Sequence, residues 1–340
     1  IQKFDSNNAV QIDYPFAASK DGITLWGSCN GLVCISSYED PDVLYVWNPS
    51  TRQYKKVPTA PIEGPPLFVW HEIFPGINIV GDISYGFGYD SKIDDYKLVR
   101  IVGFPGDYGC EVRVYTLGKN SWTEASFLPF RLCYLRTAGV LSNENIHWVI
   151  TPPQGGLVIL SFDIHNETIN QVLAPKSLSN ELAISICVFD GFICLLGKTD
   201  EVHVEVWVMK EYGVIESWTK IVTILQPDVV QSFWHVRPLK WFKNLQILLE
   251  KDESSLLLYD PESHKARDLT VNGVSKWLYA EIFVKSLVVV NSDTVIVGQK
   301  QKEEATKNMD RGEKERKKKN TNDTNKKKKA KSGVLFYGML

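Results

Sequence analysis

The sequence predicts an all-β chain folded as a β-propeller, most simply six blades of four antiparallel strands. Three observations carry that expectation: long helical periodicity is missing, one hairpin recurs five times, and a second strand pair precedes each recurrence. Short runs rich in Val, Ile, Leu, Tyr, Phe and Trp, such as 43–47, 112–115 and 202–208, alternate with clusters of Asn, Asp, Gly, Pro and Ser. That is the pattern of strands joined by turns. The run 202–208 reads Val, His, Val, Glu, Val, Trp, Val, so one of its faces is wholly apolar.

The hairpin reads LYVWNPSTRQYKKV at 44–57, VRVYTLGKNSWTEA at 112–125 and LSFDIHNETINQVL at 160–173. It continues as VEVWVMKEYGVIESWTKI at 204–221 and LLLYDPESHKARDL at 256–269. Its strand-ending aromatics are Trp47, Tyr115, Phe162, Trp207 and Tyr259, spaced 45 to 68 residues apart. Seven residues after the first three stand Tyr54, Trp122 and Ile169; in the fourth copy Trp218 follows after eleven, and in the fifth the position is Ala266. Aromatics that recur once per repeat are read as packing between sheets. Four strands per repeat at this spacing is propeller arithmetic.

The strand pairs before each hairpin fall at 26–35, 85–100, 138–149, 184–196 and 239–249. Five blades thus occupy about 24–270. Residues 277–290 are expected to supply two strands of a sixth, and 9–16 are placed to complete it from the other end of the chain, leaving no open edge. The expected organisation is an N-terminal extension over 1–23 that helps close the ring, a propeller over 24–298 and a disordered basic tail over 299–340.

The run Gly27-Ser28-Cys29-Asn30-Gly31-Leu32-Val33-Cys34, followed by Val46-Trp47-Asn48-Pro49-Ser50-Thr51, resembles the F-box-associated domain of plant F-box proteins. Tyr85-Gly86-Phe87-Gly88-Tyr89-Asp90 with Asp94-Asp95-Tyr96-Lys97-Leu98-Val99 fits the same family, as does Glu111-Val112-Arg113-Val114-Tyr115 with Asn120-Ser121-Trp122. The resemblance covers about 27–292 and is similar to kelch propellers in its Tyr115 to Trp122 spacing. It implies a noncatalytic domain that holds the target protein of a Skp–cullin–F-box ubiquitin ligase. The Leu- and Pro-rich helical F-box of the family is not found before Trp26. A Skp-type adaptor is therefore expected as a partner only if an F-box precedes Ile1, this sequence being either a fragment or an F-box-less homologue. The alternatives are a free-standing interaction scaffold and a propeller hydrolase.

Charge and motifs narrow these classes. The net charge of −2 conceals a split: 14 Lys and Arg against 6 Asp and Glu lie in 300–332, leaving 24 and 34 of the chain's 38 and 40 for the rest. An acidic body is joined to a lysine-rich segment too poor in apolar residues to fold alone. Lysine clusters of this kind suit nuclear import or nonspecific nucleic-acid contact, but no aromatics interleave with them for base stacking, so nucleic acid is not the expected partner. No run of 18 apolar residues occurs, so no membrane partner is expected. The six cysteines, at 29, 34, 110, 133, 187 and 194, form no C-x-x-C pair. They read as reduced, mostly buried thiols of a cytoplasmic or nuclear protein, with no metal site.

No catalytic residue or cofactor is expected. The adjacent carboxylates Asp94-Asp95 and Asp200-Glu201 sit in turns, the six histidines are scattered, and neither G-x-S-x-G nor H-E-x-x-H is present. The candidate partner-binding residues lie instead in connections. Residues 59–82 form a long, Pro-rich stretch with Phe68, Trp70 and His71 inside it, and 104–108 adds Asp107 and Tyr108. Residues 152–156 are a weaker candidate of the same kind. Long connections in compact domains are often functional.

Overall fold

The computed structural model describes residues 14–15, 23–37, 40–64, 83–104, 108–132, 138–151, 156–178, 184–198, 203–225, 236–242, 246–252, 254–269, 275–290, 295–296 and 332–339. Blade 1 is an antiparallel meander of β1 (Ile23–Cys29), β2 (Leu32–Ser37), β3 (Leu44–Asn48) and β4 (Gln53–Lys56). Blade 2 follows with β5 (Ile83–Asp90), β6 (Asp95–Gly103) and β7 (Cys110–Thr116). Its fourth strand is broken into β8 (Ser121–Trp122) and β9 (Ser126–Leu128), both on β7. In blade 3 the first strand is broken instead, into β10 (Arg131–Leu132) and β11 (Val140–Ser142), both on β12 (Asn145–Thr151). The blade continues with β13 (Val158–Asp163) and β14 (Thr168–Leu173). Blade 4 contains β15 (Ile184–Phe189), β16 (Phe192–Lys198), β17 (His203–Met209) and β18 (Trp218–Leu225). Blade 5 contains β19 (Val236–Trp241), β20 (Ile247–Lys251), β21 (Ser255–Asp260) and β22 (Lys265–Leu269).

The seven-residue aromatic spacing has a simple origin. Trp47 and Tyr54, Tyr115 and Trp122, and Phe162 and Ile169 are cross-strand partners across the turn between the third and fourth strands. In blade 4 the longer turn and a bulge at Val206/Trp207 shift the register, so Trp218 pairs with Met209. The turns are fixed by short polar side chains. Asp163 Oδ1 accepts from the amides of His165 and Asn166, both at 2.8 Å, and Asn48 Oδ1 accepts from Ser50 N at 2.8 Å. Asn30, Asp94, Asn120, Asp190 and His264 take the left-handed conformation there.

Blades pack face to face through apolar clusters. Trp26, Leu32 and Val46 of blade 1 meet Tyr85, Phe87 and Leu98 of blade 2. Val99, Ile101 and Val112 meet Ile146, Trp148 and Leu160 at the next junction. Blades 3 and 4 join through Val149, Ile159, Ile193 and Trp218, and blades 4 and 5 through Cys194, Val206, Leu249 and Tyr259. Between the inner strands of blades 2 and 3 the backbones nearly touch: Gly139 N donates to Tyr85 O at 2.8 Å, and a Cβ on Gly86 would lie 2.4 Å from Ile146 Cγ2 and 2.6 Å from the Trp148 ring.

Among the described residues the sixth blade expected from 277–290 does not form, and the sheets make five four-stranded blades. Strand β23 (Ser275–Val284) takes the sixth place in the ring, its neighbours being the inner strands β19 and β1. It does not turn back on itself, because 285–290 are carried across blade 1. There Asn48 Nδ2 donates to the carbonyls of Ser286 and Val288, at 3.0 and 2.8 Å. Chain captured this way cannot also form a hairpin with β23. A two-residue strand, β24 (Val295–Ile296), then adds to the outer edge of β4. The partner of β23 is β25 (Ser332–Met339), in parallel. Of the segment 9–16 only Tyr14 and Pro15 are among the described residues, and Tyr14 packs edge-on against Trp47 with ring centroids 6.0 Å apart. Residues 299–331 lie outside the described residues.

Candidate functional site

Antiparallel meanders sort the connections between two rims. Within each blade the turns joining strands one to two and three to four fall at one rim; the links joining two to three, and each blade to the next, fall at the other. The three stretches singled out in the sequence, 59–82, 104–108 and 152–156, join β4 to β5, β6 to β7 and β12 to β13. The topology therefore puts the strand ends that bound all three at the same rim. Phe68, Trp70, His71 and Asp107 lie outside the described residues. Tyr108 is 39% exposed at that rim, in a loop closed by Phe104 N donating to Gly109 O at 3.0 Å.

What the structure adds is the root of the longest connection. Arg100 on β6 and Arg113 on β7 are cross-strand partners, and like charges in that position repel. The carboxylate of Glu111, two residues from Arg113 and so on the same face, reconciles them. It is fully buried; Oε1 accepts from Arg100 Nη2 at 2.8 Å and from Arg113 Nε at 3.2 Å. Its other oxygen accepts from Glu63 N at 2.7 Å. Arg100 also donates from Nη1 to Ala60 O at 2.8 Å and from Nη2 to Pro61 O at 3.0 Å. Arg113 donates to Thr123 O at 3.1 Å and forms an ion pair with Glu63. The indole N–H of Trp122 donates to Pro58 O at 2.6 Å, and the Arg100 guanidinium lies over its ring at 5.4 Å. Pro58 and Pro61 have no N–H with which to join a ladder. Side chains of blade 2 therefore take the carbonyls of 58, 60 and 61 and the amide of 63.

Neighbouring groups continue the network. Tyr85 OH, its ionisation pushed far up by burial, stays neutral and donates to Asp42 Oδ1 at 3.5 Å, in the link joining β2 to β3. Asp40, Asp42 and Glu63 are exposed at this corner, while Arg100 and Arg113 are buried. The Trp122 bond has a counterpart two blades on, where Trp218 Nε1 donates to Leu173 O at 3.0 Å. In both, a fourth-strand indole holds the end of the preceding blade. Sequence reading missed the cluster. Its one signal is Glu111-x-Arg113 within an otherwise apolar strand, two charges on a single face.

Groups with the look of chemistry are otherwise engaged. Asp95 Oδ2 accepts from Gly118 N at 2.9 Å, and Asp94, in the left-handed conformation, is bonded by Tyr89 OH. Ser161 Oγ lies 3.3 Å from His147 Nε2, but that nitrogen also meets Tyr212 OH at 2.9 Å, and Nδ1 faces the Val140 carbonyl rather than a carboxylate. Burial pushes His147 down to about 4. Burial also pushes the Cys29 and Cys110 thiols up, to about 11 and about 12, and raises Cys34 and Cys194 further. These thiols are protonated and poor nucleophiles at neutral pH. Among the described residues no group of His, Cys, Asp and Glu is arranged to hold a metal ion.

Comparison with known proteins places the chain beside a described family. The model of the F-box associated beta propeller domain matches residues 6–310. F-box protein CPR1 of Arabidopsis thaliana is 37% identical over 291 residues, which are 78% of this chain and 68% of that protein. F-box protein At4g22390 of the same plant is 33% identical over 307 residues, 83% of this chain and 72% of that protein. F-box/kelch-repeat protein At3g23880 is 24% identical over 279 residues, 80% and 70% of the two chains.

Proposed function

Because the chain belongs to the F-box-associated β-propeller family, we propose that it is the noncatalytic target-recognition domain of a Skp–cullin–F-box ubiquitin ligase receptor. The observation that carries this reading is the sorting of connections. The strand ends that bound the long Pro-rich link and both shorter candidates lie at one rim, and the root of the longest is bonded to blade 2 rather than left loose. Binding residues carried on loops above a rigid scaffold are the usual arrangement for recognition. The target is held there, and ubiquitin transfer is the work of other subunits, recruited through an F-box and a Skp-type adaptor. Protonated, buried thiols suit the reducing cytoplasm or nucleus, where such ligases act.

The test uses the chain in plant cells with the proteasome inhibited. Proteins crosslinked to photoreactive residues at positions 40 and 108 are compared with those crosslinked at 190 and 262, on the opposite rim. Selective capture at 40 and 108 of a protein whose lifetime lengthens when the receptor is removed supports the reading. Equal capture at both rims, or a captured protein whose lifetime does not change, sinks it.

A further inference from the structure

We propose that the rim carrying the hairpin turns is a self-association surface, on which a second copy of this chain docks about a two-fold axis that sets blade 1 of each copy against blade 4 of the other. This rim lies opposite the links assigned to target recognition, and its role does not depend on that assignment.

Exposed apolar side chains are sorted between the two rims. Among the described residues nine large hydrophobic side chains are exposed, and seven of them lie at the turn rim. Single exposed hydrophobics are ordinary, but their concentration on one face marks an interface. Three belong to the chain that crosses blade 1: Val284, Leu287 and Val289, exposed by 61%, 85% and 64%. That chain rests on the turns themselves. A Cβ on Gly31 would lie 2.2 Å from Ser286 Cβ and 2.7 Å from Val284 O, and Asn48 holds the carbonyls of Ser286 and Val288. Ile93 stands in the first turn of blade 2, and Phe192, Tyr212 and Val214 stand at the two turns of blade 4. Tyr212 is already fixed, its OH meeting His147 Nε2 and Ser161 Oγ of blade 3, both at 2.9 Å. A side chain held in this way loses little freedom on association.

Charge is sorted around the same rim. On the turns of blades 1 and 2 and the crossing chain, the exposed charged residues are Arg52, Lys92, Lys119 and Lys285 against Asp94, a net of +3. On the turns of blades 3 and 4 they are Glu144, Glu167, Asp190, Glu211 and Glu216 against Lys210, a net of −4. With β23 in the sixth place, blades 1 and 4 lie across the ring from one another. A copy turned over about an axis between blades 2 and 3 therefore puts blade 1 on blade 4 and blade 2 on blade 3. Two-fold symmetry makes each of these contacts twice, so both cationic sectors meet anionic ones. Leu287 and Val289 then face the blade 4 turns that carry Phe192 and Val214. A partner of one charge would match only half of this rim, whereas a second copy matches all of it. Both link rims stay open, facing away from each other.

The test is sedimentation equilibrium of the full chain at low and high salt, with the melting temperature of each variant as the check on folding. The wild-type chain is expected to dimerise, more weakly at high salt. Leu287→Ser is expected to weaken dimerisation by about tenfold or more with an unchanged melting temperature. The pair Arg52→Glu and Lys285→Glu makes both sectors anionic, and the pair Glu211→Lys and Glu216→Lys makes both cationic. Each doubly substituted chain is expected to be monomeric alone, and an equimolar mixture of the two is expected to dimerise again. A wild-type chain that stays monomeric at every concentration overturns the proposal. So does a dimer indifferent to Leu287→Ser and to both charge reversals, and a mixture that stays monomeric overturns the pairing of blade 1 with blade 4.

Discussion

Asn48 and Ser286 join the two ends of the ring: the Asn48 side-chain amide donates to the Ser286 carbonyl at 3.0 Å, across 238 residues of sequence. The same nitrogen donates to Val288 O at 2.8 Å, while Oδ1 fixes the turn at Ser50. A matching clamp works from blade 5. There Arg237 Nη2 donates to Ala280 O at 2.6 Å, and Ala280 N donates at 3.4 Å to Glu250, itself ion-paired with Arg237. Blades 1 and 5 each grip the intervening chain with side chains.

Asn48→Asp separates the two duties of this residue. The carboxylate can still accept the turn amides but cannot donate to Ser286 and Val288. A loss of about 2–3 kcal/mol is expected, two hydrogen bonds plus carboxylate–carbonyl repulsion. Urea denaturation of the full chain checks it; a midpoint equal to wild type would remove Asn48 from ring closure.

Two tryptophans of the hairpin repeat, Trp47 and Trp122, are expected to differ. Trp47 is fully buried, whereas Trp122 is half-buried against Tyr115 and Arg100. Trp47→Ala is expected to cost about 3–5 kcal/mol, as for other large core aromatics. Trp122→Ala is expected to cost less, about 2 kcal/mol, since it leaves a smaller cavity. Equal costs would return Trp122 to a pure packing role.

Gly86→Ala is expected to destabilise by about 1–3 kcal/mol, the range for overpacking. The new methyl would meet Ile146 and the Trp148 ring, the latter fixed by its bond to Ser84 Oγ at 2.9 Å. Calorimetry of the variant gives the answer directly; an unchanged transition would mean the inner strands of blades 2 and 3 are looser than their contacts indicate.

Stability is expected to peak near neutral pH, for three reasons, two of them linked. At the junction of blades 2 and 3, His165 bonds Asp90 at 2.6 Å and Glu144 at 3.0 Å, and Lys97 bonds Asp90 at 2.9 Å. The bonds from Asp90, then Glu144, raise His165. Its contribution is complete below the ordinary imidazole value of about 6.5 and is lost as pH rises through the raised folded value. Burial opposes ionisation of Asp90, but Lys97 and His165 overcome it and hold the carboxyl near about 2. That contribution is present above the ordinary carboxylate value of about 3.9 and fades as pH falls toward 2. His147, depressed to about 4, contributes above about 6.5 and loses its contribution between 6.5 and 4. Melting curves across pH should therefore show His165→Gln flattening the alkaline side and, because Asp90 loses one of its two partners, weakening the acid side below about 4; an unchanged alkaline side would contradict the assignment.

Much of the fold was legible because it is written in local chemistry. The period-two runs, the turn residues Asn30, Asp94, Asn120 and Asp163, and the seven-residue pairing of Tyr115 with Trp122 are fixed by a few neighbouring residues. The candidate rim was also legible in part, since 59–82, 104–108 and 152–156 stand out by length, proline or glycine. The Arg100–Glu111–Arg113 cluster was not. Its meaning depends on which strands lie side by side, and a Glu two residues from an Arg is commonplace on a solvated strand.

By itself, then, the sequence determined strand content, blade boundaries and family, because periodicity and turn chemistry act over short distances. Tertiary structure alone decided how the ring closes and how its longest connection is rooted. The residues 277–290 read as a hairpin, yet Asn48 takes the carbonyls of Ser286 and Val288, and β23 pairs with β25 instead of with the chain that follows it. Such outcomes are settled by competition among distant donors and acceptors for the same backbone groups, and that competition exists only once blade 1 and blade 5 have come within reach of the chain between them.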